Sequence, residues 1–261
     1  MAKSKFGQNF LINKDILKKI AAEVKIKDND FILEVGSGHG ELTKELINFS
    51  KNKKVKILAV EKDKKLFQQL KNNFKDKNLR VINKNILNII SRLPNFLPKD
   101  KNLKIVGNIP YYLTGKLLRK ISELNTKPEI CVFTLQKEVG ERIVSLAPKL
   151  NKLSAIIHFW AEPKIILNIS KKNFNPQPKV DSVLIQLKTG KENYKILPEK
   201  YYQTVNILFQ QPRKTILNNL LLKYNKDKDK ILDLLKKINI SPNDRPQNLS
   251  INQIVEIAKF L

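Results

Sequence analysis

Hydrophobic positions in the first two thirds of the chain fall into short apolar runs separated by segments of helical length. The runs are rich in β-branched residues and cover residues 31–35, 55–60, 79–82, 103–106 and 130–135. Residues 41–49 and 64–74 have the length of helices. Alternating strands and helices predict βαβ units, and hence a mostly parallel sheet with helices on both faces. Two later apolar runs, 165–169 and 182–187, can add strands to that sheet.

The hydrophobic pattern changes after residue 188. The segment TGKENYKILPEK is polar and turn-prone, and the residues beyond it show helical periods only. The apolar positions with this spacing are 201, 205, 208 and 209, then 231, 234, 235 and 238, then 251, 254, 255 and 258. We therefore predict a boundary near residue 190, with an α/β domain at 1–190 and a small all-α domain at 191–261.

The chain is strongly basic, which makes a polyanion its expected partner. Its 261 residues hold 50 Lys and Arg against 24 Asp and Glu, a formal net charge of +26. Such a charge favours binding to RNA or DNA. Only six of the basic residues are arginine, so an A+T-biased genome is an alternative source of the lysines. A hydrophobic content of 41% excludes full-length disorder.

Membrane insertion, disulfides and structural zinc are not expected. No run approaches 18 apolar residues, and the start MAKSKFGQNF lacks the apolar region of a secretory signal. We expect a cytosolic protein. One cysteine, Cys131, cannot form a disulfide within the chain, and with His39 and His158 it cannot supply a zinc site. We expect all three side chains to be structural.

A glycine-rich turn follows the first predicted strand. In FILEVGSGHGELTKEL, Gly36, Gly38 and Gly40 lie between a strand and a helix, as in nucleotide-binding α/β folds. Glu61 ends the next strand, where a carboxylate can accept hydrogen bonds from ribose hydroxyls, although a solvated strand end is the alternative. Glu34 lies among apolar residues, so it needs local polar partners and is expected to order the loop. No phosphate-binding P-loop motif occurs.

A second motif, KIVGNIPYYLTGKLL, places Asn108, Ile109, Pro110 and Tyr111 directly after a strand. It resembles the (N/D)PP(Y/F) motif of class I S-adenosylmethionine-dependent methyltransferases that act on exocyclic amines. The whole chain is similar to the ribosomal RNA adenine dimethyltransferases, through KSKFGQNFL, EVGSGHG, AVEKD, GNIPYY, FTLQKEVGERI, FNPQPKVDSVLI and FQQPRKTILNNL. The opening FGQNFL, LQKEVGERI, PKVDS and PRKTILNNL resemble the small-subunit branch of that family more than the large-subunit branch that confers macrolide resistance.

The resemblance implies a fold and a function. The fold is the class I methyltransferase fold, a Rossmann-like, mostly parallel sheet with helices on both faces, plus a small all-α C-terminal domain. Residues 1–190 form the catalytic domain that binds S-adenosylmethionine, and residues 191–261 form a helical RNA-binding domain. The implied reaction dimethylates the exocyclic amine of two adjacent adenosines in small-subunit rRNA, within a pre-ribosomal small subunit. We expect a monomer, because the like charge of the copies opposes association.

Four residues are the predicted catalytic set. The Asn108 side-chain carbonyl and the Ile109 or Pro110 main-chain carbonyl accept the N–H groups of the target amine, and Pro110 fixes the loop. A flipped adenine stacks on Tyr111 and, by resemblance, on Phe174. A core position is the alternative for Phe174. Tyr112 is predicted to pack in the interior.

The predicted cofactor-binding residues come from five segments of the chain. By resemblance, an N-terminal segment folds over the methionine end of the cofactor, and Asn85 stands where the family usually has aspartate. An asparagine carbonyl accepts the same hydrogen bond without the charge-assisted part, so we expect weaker cofactor binding. The set consists of Asn9, Leu11, Gly36, Gly38, Glu61, Asn85 and Asn108.

The predicted RNA-binding residues lie in the helical tail. Arg213 and Lys214, with Lys223, can contact phosphates, and a solvated surface is the alternative for any single lysine. Lys3 and Lys5 can add to the mouth of the site. In place of residues common in the family, the chain has Pro212 where relatives have arginine, and Asn151 and Lys152 where they have glycine and arginine.

Two other functions stay open at this point. One is methylation of large-subunit rRNA. The other is an RNA-binding ribosome assembly factor without turnover, which only Asn85 favours. The intact GNIPYY and EVGSGHG segments argue against a pure binder, because binding alone does not require Asn108.

Overall fold

The predicted strands form a seven-stranded sheet in the computed structural model, which describes residues 8–98, 100–190, 194–224 and 228–261. The strands are β1 (Phe10–Leu11), β2 (Asp30–Val35), β3 (Lys56–Glu61), β4 (Leu79–Asn83), β5 (Asn102–Asn108), β6 (Ile130–Gln136), β7 (Ala161–Ile169), β8 (Phe174–Asn175) and β9 (Ser182–Thr189). The large sheet has the order β4-β3-β2-β5-β6-β9-β7, and β1 pairs with β8 in a separate small sheet.

The helices follow the predicted alternation. They are α1 (Lys14–Glu23), α2 (Glu41–Phe49), α3 (Lys64–Asn73), α4 (Ile86–Ile90), α5 (Thr114–Ser122), α6 (Lys137–Val144), α7 (Lys152–His158), α8 (Pro198–Leu208), α9 (Ile216–Tyr224), α10 (Lys228–Lys237) and α11 (Ile251–Phe260). Asn13 caps α1 by accepting hydrogen bonds from the main-chain N–H groups of Asp15 and Ile16. Within the described ranges, no helix has the length and apolarity needed to cross a bilayer.

Parallel pairing gathers the predicted motifs at one edge of the large sheet. Strand β2 pairs in parallel with β3 on one side and β5 on the other. Strands β3–β4 and β5–β6 are also parallel pairs, and β9 runs antiparallel to β6. Loops that follow parallel strands lie at the edge where those strands end, so the loops after β2, β3, β4 and β5 lie at one edge of the sheet. The prediction of a mostly parallel α/β sheet is confirmed.

A buried ion pair lies at the start of β2 and β5. The Lys104 Nζ is 2.9 Å from the Asp30 Oδ2, and both side chains are fully buried. The same ammonium donates to the main-chain carbonyl of Lys25 at 2.6 Å. The sequence pattern assigned Lys104 to an apolar run and did not reveal this pair.

The chain divides into two compact units, one of residues 1–140 and 163–189 and the other of residues 141–162 and 190–261. The second unit begins again at residue 190, where the hydrophobic pattern changes. It also includes residues 141–162, which the sequence analysis assigned to the first domain. Their α7 contributes Ala155 and Ile156 to a core shared with Tyr201 and Val205. The Tyr201 hydroxyl donates to the Ala155 carbonyl at 3.0 Å, so α7 packs with the later helices.

Candidate active site

A cavity lies at the edge of the sheet where β2, β3, β4 and β5 end. It is lined by residues 8–10, the glycine-rich turn, the residues that follow β3 and β4, and the segment 108–113 with Lys116. Of the predicted site residues, the lining includes Asn9, Gly36, Gly38, Glu61, Asn85, Asn108, Pro110 and Tyr111. Residues from five separate stretches of chain therefore meet around one space, all within the first compact unit.

The glycine-rich turn requires glycine for two physical reasons. Gly36 and Gly38 have φ angles of 68° and 59°, in the left-handed region that L residues rarely adopt. A Cβ at Gly38 would also lie 3.0 Å from a ring carbon of Phe10. The turn therefore presents bare backbone to the cavity, which permits close approach of a ligand. Gly40 does not line the cavity, and it precedes α2 as its N-cap.

Glu61 is buried against the glycine-rich turn and is not a solvated strand end. Its side chain is 2% exposed. The Oε2 accepts a hydrogen bond from the Gly38 N–H at 2.9 Å, and the Oε1 accepts one from the Asp63 N–H at 2.8 Å. Burial raises the pKa of this carboxyl, and the main-chain hydrogen bonds oppose that rise. An ionised carboxylate can accept about four hydrogen bonds, and the main-chain N–H groups of Gly38, Lys62 and Asp63 supply three donors. Acceptor capacity therefore remains for a ribose hydroxyl.

Glu34 is buried near the end of β2, just before the glycine-rich turn. It is 1% exposed, and the Thr43 hydroxyl donates to its Oε2 at 2.7 Å. Burial raises the pKa of Glu34 from 4.5 to about 7. The prediction that this carboxyl needs a local partner is confirmed. The side chain does not line the cavity, so its position suits ordering of the loop.

Asn108 is oriented by the N-terminal segment. Its Nδ2 donates to the main-chain carbonyl of Asn9 at 2.8 Å. Within the described residues, the Oδ1 has no donor, so it remains available as an acceptor in the cavity. The Pro110 carbonyl already accepts from the Leu113 N–H at 2.9 Å. The Ile109 carbonyl accepts none from the described residues, which favours it over Pro110 as the second acceptor.

Two adjacent tyrosines have different surroundings. Tyr111 is half-buried, and its hydroxyl lies 3.0 Å from the Ser182 Oγ. Burial raises the pKa of Tyr111. Tyr112 is 61% exposed and lines the cavity, so the prediction that it packs in the interior is wrong. The single-turn 3₁₀ helix Tyr111–Leu113 buries Leu113 and turns Tyr112 outward.

Leu11 and Phe174 lie in the hydrophobic core beside the site. They are partners in the β1–β8 pair, each is 4% exposed, and neither lines the cavity. Core packing explains both positions, because their side chains belong to the cluster that also contains Leu17 and Leu184. A stacking role for Phe174 requires its ring to become accessible. The roles assigned to both residues by resemblance stay predictions.

Asn85 lines the cavity and also starts a helix. Its Oδ1 accepts from the Leu87 N–H at 3.0 Å, which caps α4. The predicted bond to the adenine amine of a cofactor must therefore use the second lone pair of the same oxygen.

The predicted RNA-binding residues are exposed on a loop of the second unit. Arg213 and Lys214 lie between α8 and α9. The fully buried Asn219 holds that loop, because its amide bonds the main-chain N–H and carbonyl of Gln211 and the carbonyl of Thr215. Lys3 and Lys5 fall outside the described residues. Asn151 acquires a structural role, because it caps α7 through a reciprocal capping box with Ser154.

Cys131, His39 and His158 belong to no cluster of metal-ligating side chains among the residues that the structure describes. Cys131 is fully buried, and its pKa is raised by burial. Burial lowers the pKa of His158. His39 packs on the Phe10 ring, with the two centroids 4.5 Å apart.

The sequence analysis did not assign some of the residues that line the cavity to the site. They include Phe10, Lys62, Lys116 and Tyr112. For Phe10 a signal was present, since it lies inside the FGQNFL segment.

Comparison with known proteins identifies the family. A family model described as ribosomal RNA adenine dimethylase matches residues 1–261. A protein of Fusobacterium nucleatum named ribosomal RNA small subunit methyltransferase A is 38% identical over 99% of this chain and 97% of its own length. A protein of the same name from Mycoplasma capricolum is 37% identical over 100% of this chain and 97% of its own length.

Solved structures agree on the fold. A dimethyladenosine transferase from Plasmodium falciparum superposes with a TM-score of 0.80 at 24% identity, covering 95% of both chains. The 23S rRNA methyltransferase ErmE superposes with a TM-score of 0.72 at 22% identity, covering 96% of this chain and 98% of its own. At these identities the likeness shows the class I methyltransferase fold and does not separate small-subunit from large-subunit enzymes. The match over all 261 residues, with the glycine-rich turn and Asn108 at one cavity, shows that the chain belongs to the ribosomal RNA adenine dimethylase family.

Proposed function

We propose that this protein uses S-adenosylmethionine to dimethylate the exocyclic amine of two adjacent adenosines in small-subunit rRNA during ribosome biogenesis. The observation that carries the proposal is the orientation of Asn108. Its amide N–H is held by Asn9, which leaves the Oδ1 as an acceptor beside the glycine-rich turn. The names of the full-length relatives support the small subunit as the source of the substrate.

The residues around the cavity fit S-adenosylmethionine. The left-handed glycines present backbone without side chains, and the buried Glu61 carboxylate faces the same space with acceptor capacity for a ribose hydroxyl. Asn85 lines the part of the cavity that follows β4 and suits the adenine end. Asn9 and Phe10 suit the methionine end. When bound there, S-adenosylmethionine supplies an electrophilic methyl group on a sulfonium.

Catalysis then depends on the positioning of a weak nucleophile. The lone pair of the adenine amine is delocalised into the ring, so the reaction needs orientation more than a strong base. The Asn108 Oδ1 and the Ile109 carbonyl each accept one amine N–H, which turns the lone pair toward the methyl group. Fixed acceptors of this kind require no reorganisation during the reaction. After the first transfer the methylated amine loses one N–H proton to water, which restores the lone pair of the nitrogen. The amine then presents that lone pair to the methyl group of a second S-adenosylmethionine.

The target base must leave its stack to reach the cavity. Extrusion of a base costs a few kcal/mol, and stacking on an aromatic ring recovers about 1 to 3 kcal/mol. Tyr111 suits this role, because its hydroxyl is bonded to Ser182 and its ring is therefore held at the cavity. Arg213 and Lys214, which belong to the second unit, contact RNA phosphates. The shape of the RNA supplies the specificity. We propose a cytoplasmic monomer.

The test is incubation of the purified protein with labelled S-adenosylmethionine and unmethylated small ribosomal subunits. Large subunits and the Asn108→Ala variant serve as controls, and mass spectrometry resolves the nucleosides. We expect dimethyladenosine in small-subunit RNA, absent with the variant. Dimethyladenosine in large subunits alone would assign the protein to the large-subunit branch. Tight subunit binding without label would identify an assembly factor without turnover.

A further inference from the structure

Tyr112 presents an aromatic ring to solvent at the mouth of the cavity. It is 61% exposed, and among the described residues of the cavity lining it is the exposed aromatic. The proposed catalytic mechanism does not use it. Burial of the ring by a partner would stabilise the complex, because exposed aromatic area gains free energy when it leaves water. Its place beside Tyr111 puts that partner next to the target base.

Helix α5 continues the surface that begins at Tyr112. Gly115 and Lys116 are both exposed, and Lys116 lines the same cavity as Tyr112. A Cβ built at Gly115 would meet no atom of the described residues within 4 Å, so none of those residues covers the helix at this point. Tyr112 lies in the 3₁₀ turn that precedes α5, and Lys116 lies in the first turn of α5. Because both residues line the same cavity, they place an aromatic ring and a cation at its mouth, beside an exposed stretch of helix.

Further cations extend this surface away from the cavity. Lys120, one turn beyond Lys116, donates to the Ser91 hydroxyl at 2.7 Å, and the next residue in the chain, Arg92, is exposed. Among the described residues, none of these three cations forms an ion pair with a carboxylate. Arg119 on the same helix differs, since it pairs with Glu123 at 3.0 Å. We call Tyr112, Lys116, Lys120 and Arg92 the α5 track.

We infer that the α5 track binds the RNA strand next to the flipped adenosine. The neighbouring base stacks on Tyr112, and the phosphates that follow it lie against Lys116, Lys120 and Arg92. This inference rests on the proposed function, which requires two adjacent adenosines. When one adenosine occupies the cavity, its covalent neighbour must lie at the mouth, where Tyr112 is exposed. An aromatic platform followed by cations matches the general chemistry of single-stranded nucleic acid binding.

The test separates RNA binding from cofactor binding and from turnover. Filter binding measures the affinity of unmethylated small-subunit rRNA for the wild-type protein and for Tyr112→Ala, Tyr112→Phe, Lys116→Ala and Arg119→Ala. Loss of one stacked base corresponds to roughly 5- to 150-fold weaker binding for Tyr112→Ala, with Tyr112→Phe close to wild type. Lys116→Ala lowers the salt dependence of binding, with the slope of log affinity against log salt falling by about 0.7.

Two controls make the result specific. Arg119→Ala is the matched control, because it removes an exposed cation of the same helix that is already paired with Glu123, and we expect its RNA affinity to equal that of wild type. Equilibrium binding of labelled S-adenosylmethionine should be unchanged in all four variants. Wild-type RNA affinity in Tyr112→Ala, or an equal loss in Arg119→Ala, would overturn the inference.

Failure of the RNA-binding inference can be told apart from failure of the proposed function. If the wild-type protein binds the RNA without methylating it, the proposed function fails while the binding data still test the track. A loss of cofactor affinity in Tyr112→Ala would place this ring in the cofactor site and overturn the assignment to RNA.

Discussion

The side-chain amide of Asn108 donates to the main-chain carbonyl of Asn9 across 2.8 Å, although the two residues are 99 positions apart. This hydrogen bond determines which end of the Asn108 amide faces the cavity. Strand β1 follows Asn9 directly and pairs with β8, so the small sheet holds the carbonyl that orients the amide. Under the proposed function, the N-terminal segment therefore positions the target amine as well as forming part of the cavity wall.

Replacement of Asn108 by aspartate should separate the acceptor role of its side chain from its hydrogen bond to Asn9. Asn108→Asp keeps an acceptor oxygen but places a carboxylate against the Asn9 carbonyl, where a donor stood. We expect the single-turnover methylation rate to fall by about 10² to 10³, the usual cost of losing one aligned polar group in an active site. Labelled-cofactor binding measured in parallel should change less. A rate within a few-fold of wild type would contradict the assigned role.

Glu61→Gln should weaken cofactor binding. Hydrogen bonds to a charged acceptor contribute about 1.5 to 3 kcal/mol against about 1 for neutral ones, and the glutamine also replaces the acceptor of the Gly38 N–H with an amide. We expect S-adenosylmethionine affinity to fall by about 10-fold or more, measured by equilibrium dialysis. Glu41→Gln, on the exposed first turn of α2, is the control and should leave the affinity unchanged.

Asn85→Asp should strengthen cofactor binding. A carboxylate at this position can still accept from the Leu87 N–H, and a negative charge is favourable at a helix N-terminus. The added charge makes the hydrogen bond to the adenine amine stronger by about 1 kcal/mol, equivalent to roughly 5-fold in affinity. Calorimetric titration checks the value. Unchanged or lower affinity would mean that Asn85 does not contact the adenine.

Glu34 should make the stability of the protein pH-dependent. Its pKa is raised from 4.5 to about 7 in the folded state, so the folded protein binds the proton more tightly than the unfolded chain. The stabilisation is therefore complete below pH 4.5, declines as the pH rises toward about 7, and is absent above that value. The shift corresponds to about 3 kcal/mol.

Glu34→Gln should remove this pH dependence. The amide oxygen can still accept from Thr43, and no proton is lost at high pH. The variant should be more stable than wild type at pH values above 7 and close to wild type near 4.5, as measured by urea midpoints across that interval. Parallel curves for the two proteins would show that Glu34 does not titrate between these values.

The buried pair of Lys104 and Asp30 should be sensitive to the removal of one partner. Lys104→Met leaves the fully buried Asp30 carboxylate without its cation, which costs about 3 to 5 kcal/mol in comparable pairs. The double change Lys104→Met with Asp30→Asn should recover part of that loss, because the uncompensated charge is gone. Urea unfolding measures both. Equal stability of the single and double variants would contradict a charge-based explanation.

Local patterns in the sequence determined much of this protein. Apolar runs of strand length fall where β2 to β6 form. The glycine-rich turn follows β2, and Asn108 ends β5, at the same edge of the sheet. Strand formation and left-handed turns depend on neighbouring residues, so a linear pattern is sufficient to predict them. The family motifs are linear for the same reason.

Contacts between distant segments were decided only by the tertiary structure. The motif singled out Tyr111 but did not reveal the surroundings of Tyr112. Tyr111 is hydrogen-bonded to Ser182, whereas Tyr112 is 61% exposed. Residues 141–162 belong to the helical unit, because Ala155 and Ile156 pack into its core. Burial and hydrogen-bond partners depend on which remote segments fill the space around a side chain, and that arrangement exists only once the chain has folded.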